Sequence, residues 1–399
     1  MEQSAQKARA ESILKAVTSG PKNTRREVIY GVYDSSRQSL FIRLNDFFID
    51  HSKVPLQEKA YFFQLLAVMA DAGIPVIQGV KMLASRSKSE KFYRVLSTVA
   101  STVSQGKTLS DSMSRFPEVF TELEVGIVRA GEAAGNLDKM LLRLADQLTK
   151  TNELQIKLWT ASIYPLAVLA VLLLATSGML IWVVPSLVSL LKEGGLKEGE
   201  FPFATLLLLN LSGFMQVYWW AVFLGMAIVY LLFRFIITTE NGRFKWDLFK
   251  LKFPVVGNLL RKVLVLRFVS MLGILIEAGL PVIQALTIVA GSLSSEIYRL
   301  KVYEVIAKVQ QGQKISTSLV DTPFLFPETI VQMLSVGEQS ASLGLISEKI
   351  AKQYDVEIDN SLKRLTSLFE PIMIVFVGFT VAILALAILT PIFKLSQLV

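Results

Sequence analysis

Three blocks of the chain are unbroken apolar runs, and most of the remainder repeats apolar residues at helical spacing. Residues 166–191, 203–233 and 371–393 hold no Asp, Glu, Lys, Arg or His. Each exceeds the ~20 residues needed to cross a hydrocarbon layer of ~30 Å. A buried core helix seldom runs that far without a charge, so the pattern predicts transmembrane helices at 166–191, 203–233 and 368–393. Tyr164, Trp182, Tyr218, Trp219, Trp220 and Tyr230 are candidate interface anchors. Elsewhere Leu137, Leu141, Leu144 and Leu148 keep a helical stripe. Gly73 and Gly279 fit the position after a helix end, with Pro75 and Pro281 opening the next helix. Gly106 ends another helix, and Thr108-Leu109-Ser110-Asp111 has capping-box spacing. Gly135 and Asn136 read as a helix end followed by an N-cap, with Ser342 at the Asn136 position further on. For 27–48 a hairpin and a short helix both remain open.

That last correspondence belongs to an internal repeat. Ala72-Gly73-Ile74-Pro75-Val76-Ile77-Gln78 returns as Ala278-Gly279-Leu280-Pro281-Val282-Ile283-Gln284, an offset of 206. The same offset pairs Phe62 with Phe268, Gly131-Glu132 with Gly337-Glu338, and Pro185 with Pro391. Duplication predicts two all-α bundles, at 56–157 and 262–364, each followed by a membrane helix. An N-terminal cytoplasmic region, 1–55, precedes them. Two copies in one orientation need a return helix, and 203–233 fills that role. Short loops make successive helices antiparallel neighbours.

Charge adds orientation. Lys150 and Lys157 precede the first apolar run, and Arg234, Arg243, Lys245, Lys250 and Lys252 follow the second. Lys349, Lys352, Lys363 and Arg364 precede the third, whereas 192–202 has only Lys192 and Lys197. The basic flanks are expected in the cytoplasm. The N-terminus and 234–370 are then cytoplasmic, and the short linker and C-terminus lie outside. The first 60 residues are polar and show no signal-peptide run. The net charge of +8 therefore reads as topology, and nucleic acid is not expected as a partner. With 52% hydrophobic and 19% charged residues, and mean hydropathy of +0.49, a wholly soluble chain is disfavoured. The absence of cysteine and the single His51 exclude a disulfide framework and a Cys/His metal site.

The chemical inventory is short. Gly106-Lys107-Thr108 evokes a phosphate loop, but Ser101 stands where its first glycine belongs and no strand pattern precedes it. His51 has no Ser/His/Asp grouping for nucleophilic catalysis. The apolar runs carry no titratable group of the kind ion-coupled transport needs. Thr176, Ser177, Asn210, Gln216, Thr380 and Thr390 are candidate interhelical hydrogen-bonding groups. Glu132 and Glu338, beside equivalent helix breaks, read first as carboxylates bracing a helix. A cation site with Asp138 and a partner contact are alternatives, and the metal question stays open. No cofactor and no catalytic residue is expected.

The duplicated A-G-[IL]-P-V-x-Q element, Gly106 with Leu109 and Ser112, Phe116-Pro117-x-x-Phe120, and Gly131-Glu132-x-x-Gly135-x-Leu137 resemble the PilC/GspF family. These are inner-membrane platform proteins of type IV pilus assembly and type II secretion. The resemblance covers roughly residues 56–393. It implies a multi-pass, homo-oligomeric, non-enzymatic platform in the lipid bilayer. Its implied partners are a motor ATPase, pilin or pseudopilin subunits and other inner-membrane assembly proteins. Gly73, Pro75, Glu132, Gly135, Gly279, Pro281 and Glu338 are then candidate partner contacts or structural motifs. The second copy departs at Pro323-Phe324-Leu325-Phe326-Pro327 and at Ala341, the Gly135 position.

Overall fold

A computed structural model describes residues 52–186, 203–254 and 256–396, with Ile49 and Ser189. His51, the 27–48 segment and the 192–202 linker lie outside the described residues. Within them the chain is all-helical, with no strand.

The first copy runs through α1 (Leu56–Asp71), α2 (Val76–Arg86), α3 (Glu90–Ser104), α4 (Leu109–Met113), α5 (Glu122–Ala134) and α6 (Leu137–Gly178). Next come α7 (Phe203–Thr238) and α8 (Glu240–Lys252). The second copy is α9 (Val256–Glu277), α10 (Val282–Ser292), α11 (Glu296–Gln310), α12 (Ile315–Leu319), α13 (Glu328–Gln339) and α14 (Leu343–Ser396). The starts of α2 to α6 recur 206 residues later as the starts of α10 to α14. Only α9 begins earlier than the image of α1.

By internal packing the described residues form two compact units, which cut across the duplication. The first reaches Asn152 and includes Ile274–Ile288; the second holds Glu153–Gly273 and continues from Val289. The first is centred on Phe62, Phe63, Phe92 and Phe120, whose rings pack with centroids 5.0–6.2 Å apart, mostly edge to face. In the second, Phe268 and Tyr298 meet Phe326 at 5.1 and 5.3 Å.

The helix after each lobe continues directly into apolar sequence. On α6 the buried stripe Leu141, Leu144, Leu148 and Leu154 gives way to exposed Leu166, Val171 and Leu174. On α14, buried Ile350, Tyr354 and Ile358 give way to exposed Ile372, Val375 and Phe379. These two helices are long and apolar enough to cross a membrane by themselves. A third candidate is a bent pair, Leu224–Thr238 with Asn241–Lys252, meeting at 103°. Surfaces this apolar are stable only when something other than water covers them.

At Met179–Val183 the first long helix widens into a π-turn. The Val184 N–H bonds back to the Met179 carbonyl, which releases the Leu180 carbonyl. Buried Ser212 of α7 donates to that carbonyl at 2.5 Å. Ser212 was not among the expected interhelical donors, and Thr380, which was, bonds the Phe376 carbonyl of its own helix. Nearer the lobes, the Lys157 ammonium of α6 bonds Asp359 of α14 at 2.9 and 3.0 Å, which holds its pKa above the ordinary lysine value.

Candidate functional site

Gly73 and Gly279 have φ of +76° and +83° and stand where α1 and α9 end. The next N–H groups, of Ile74 and Leu280, reach back to the Met69 and Leu275 carbonyls at 2.9 and 3.1 Å. Pro75 is the N-cap of α2, one position before its first turn. Gly106, φ +89°, closes α3. Thr108 caps α4 by accepting from the Asp111 N–H, while Asp111 turns away to Arg129 at 3.4 Å. The reciprocal capping box is instead at Thr121 and Glu124, opening α5.

Glu132 and Glu338 do equivalent work. Glu132 accepts from the Leu109 N–H at 2.6 Å and the Ser110 N–H at 3.2 Å, with the Ser110 hydroxyl a third donor at 2.5 Å. Glu338 accepts from the N–H and hydroxyl of Ser316 and the N–H of Ile315. Each carboxylate thus satisfies the start of the short helix before its own, α4 or α12, and not the helix that follows it. Both stand one residue after a glycine of close approach. A Cβ on Gly131 would come within 2.9 Å of Met140 Cβ and 3.1 Å of Leu137 Cα, and one on Gly337 within 3.2 Å of Ile346 Cβ. Asp138 lies in the first turn of α6. Among the described residues no group of three or more His, Cys, Asp or Glu converges for a metal ion.

Gly135, φ +69°, ends α5, and the Asn136 N–H returns to the Gly131 carbonyl at 3.0 Å. The Asn136 side-chain oxygen accepts nothing, so the expected side-chain cap is not formed. Ala341 holds the matching position at φ +51°.

Buried Lys59 and Glu124 meet at 2.7 Å, and Lys59 also donates to the Val119 carbonyl at 2.6 Å. Burial pushes the Glu124 carboxyl up, against the opposing pull of Lys59 and Thr121. Sequence reading missed this pair, although the repeat frame places Val265 and Ile330 at the same two positions. A joint switch from charged to aliphatic was the available signal.

Gly279 and Pro281 line a cleft of about 840 Å³ in the first unit, with Phe120, Val125, Arg129 and Ala130 opposite. What the fold defines is a class: a duplicated helical protein whose copies each end in a helix able to cross a membrane.

A family model described as Type II secretion system protein F matches residues 62–185 and again 268–391, the same offset of 206. The chain belongs to this family, the PilC/GspF proteins. It is 34% identical over 335 residues to the type IV pilus assembly protein PilC of Myxococcus xanthus, covering 84% of this chain and 79% of that relative. With the PilC of Thermus thermophilus it shares 32% identity, covering 85% and 83%. With the type II secretion system protein F of Pseudomonas aeruginosa it shares 31%, covering 84% and 82%.

Proposed function

We propose that the chain is a platform protein of the inner membrane, serving a type IV pilus or a type II secretion machine. In this reading it has three spans, two cytoplasmic bundles, a cytoplasmic N-terminus and an external C-terminus. It couples a motor ATPase to extraction and assembly of pilin or pseudopilin subunits and has no enzymatic activity of its own. The supporting observation is the direct continuation of each lobe into a long apolar helix, without a hinge loop between them. In this reading a displacement of the lobe passes to the membrane segment along one continuous helix of 50 residues in the first copy. Names given to relatives of pilus and secretion machines support the same reading.

Because the chain has no cysteine, orientation is directly measurable. A single Gly195→Cys should react with a membrane-impermeant thiol reagent in intact spheroplasts. Val336→Cys, at an exposed lobe position, should react only after lysis. The reverse pattern would remove the lobes from the ATP-containing compartment and end the coupling reading.

A further inference from the structure

We infer that α8 is a membrane-surface helix that binds the anionic lipid headgroups of the leaflet on the lobe side. The inference rests on the reading of α7 as a span. Only Thr239 separates the end of α7 from the start of α8, and the axes meet at 103°. If α7 crosses the bilayer, α8 lies close to its plane. It cannot be the second half of a broken span. The 36 residues of α7 exceed the ~20 needed to cross by themselves, and α8 carries Glu240, Arg243, Lys245, Asp247, Lys250 and Lys252, charges too costly for the hydrocarbon core.

One side of α8 is fixed to the second copy. Buried Asp247 accepts from the Glu296 N–H at 2.7 Å, at the start of α11, and Leu251 is also buried. Away from these residues Lys245, Phe249 and Lys252 share a face at helical spacing, with Phe253 one turn beyond Phe249, and all four are exposed. Lys245 and Lys252 form no ion pair or hydrogen bond among the described residues. The aromatics are continuous with the apolar helix. Phe233 packs edge-on to Trp246 at 4.8 Å, Trp246 stacks on Phe249 at 5.6 Å, and Phe249 meets Phe253 at 5.8 Å. Lys250 lies 5.9 Å over the Trp246 ring and pairs with Asp247 at 2.6 Å.

Exposed phenylalanines between unpaired lysines suit the headgroup layer, where rings enter the acyl boundary and ammonium groups meet lipid phosphates. Charge complementarity and continuity with α7 favour this occupant over a second copy of the chain.

The full chain, carrying one fluorescent label at Phe253→Cys or Val256→Cys, is placed in nanodiscs of phosphatidylcholine with or without phosphatidylglycerol. Nitroxide-labelled lipids then report depth. The label at either site should be quenched by shallow nitroxides. Quenching should fall about threefold when phosphatidylglycerol is left out or when Lys245→Glu and Lys252→Glu are combined. Met226→Cys in α7 should be quenched by deep nitroxides, and Val336→Cys by none. If Met226→Cys is deep while both labels just beyond α8 match Val336→Cys, the surface helix is refuted and the span stands. An unquenched Met226→Cys refutes the span reading and this inference with it. Quenching indifferent to phosphatidylglycerol and to both lysines contradicts headgroup recognition. So does shielding that appears only when discs hold two copies.

Discussion

At Val119 and Leu325, equivalent positions of the two copies, one buried carbonyl is satisfied by two different chemistries. In the first copy the Lys59 ammonium donates to it while pairing with Glu124. In the second, Lys59 and Glu124 are replaced by buried Val265 and Ile330, and the Tyr298 hydroxyl donates at 2.7 Å from the position of Phe92. The second copy is thus a template for rewriting the first. Lys59→Val alone strands a buried carboxylate and should cost about 3–5 kcal/mol. The triple variant Lys59→Val, Glu124→Ile, Phe92→Tyr should return to within about 1 kcal/mol of the parent. Urea unfolding of the detergent-solubilised chain reads the difference; a triple no better than the single would refute the pairing. The single variant should also recover as pH falls. A raised carboxyl pKa means the folded state holds the proton more tightly. The gain grows as pH falls through that raised value and is complete below the ordinary value of 4.5. A second residue-scale test is Ala341→Gly. It relieves a left-handed alanine and should stabilise by about 1 kcal/mol, with Gly135→Ala costing a similar amount. A fall in melting temperature for Ala341→Gly would contradict it.

Among the elements, helix boundaries were the most legible feature of the sequence. Gly73, Gly106 and Gly135, with Gly279 and Gly312 in the second copy, punctuate it because a left-handed backbone strongly prefers glycine. The repeat then shows the starts of α2 to α6 a second time. The partners of Glu132 were harder to read, because the N–H groups it accepts from lie 22 and 23 residues upstream, across a turn that only packing closes. Lys59 and Glu124, taken singly, read as surface charges, and burial is a tertiary fact. The π-turn was equally hidden. An apolar run carries no mark of a widened turn, and Ser212 reads as one polar residue among several in its helix. Its bond to the Leu180 carbonyl predicts that Ser212→Ala weakens packing of α7 on the first long helix by about 1 kcal/mol. Ser212→Thr should retain the bond. Resistance to steric-trap or detergent-driven unfolding compares the variants, and an unchanged Ser212→Ala would refute the contribution of this bond.

For the whole molecule, the central claim is that the chain is a platform that a pilus or secretion machine needs in order to build its filament. Internal repetition ties sequence, structure and family together, since the frame of 206 residues recurs in the motifs, the helix starts and the matched family segments. Glu132 bears on how the claim is tested. Its carboxylate is committed to Leu109 and Ser110, so Glu132→Lys would disturb the lobe before it disturbed any partner. The clean test leaves the protein intact or removes it altogether. It is a count of surface filaments, and of protein secreted to the medium, in the native host with this gene deleted in frame and then supplied on a plasmid. The account predicts that deletion abolishes one of the two outputs while pilin or pseudopilin still accumulates in the membrane, and that the wild-type chain restores it. Filaments and secretion both unchanged in the deletion strain would contradict it.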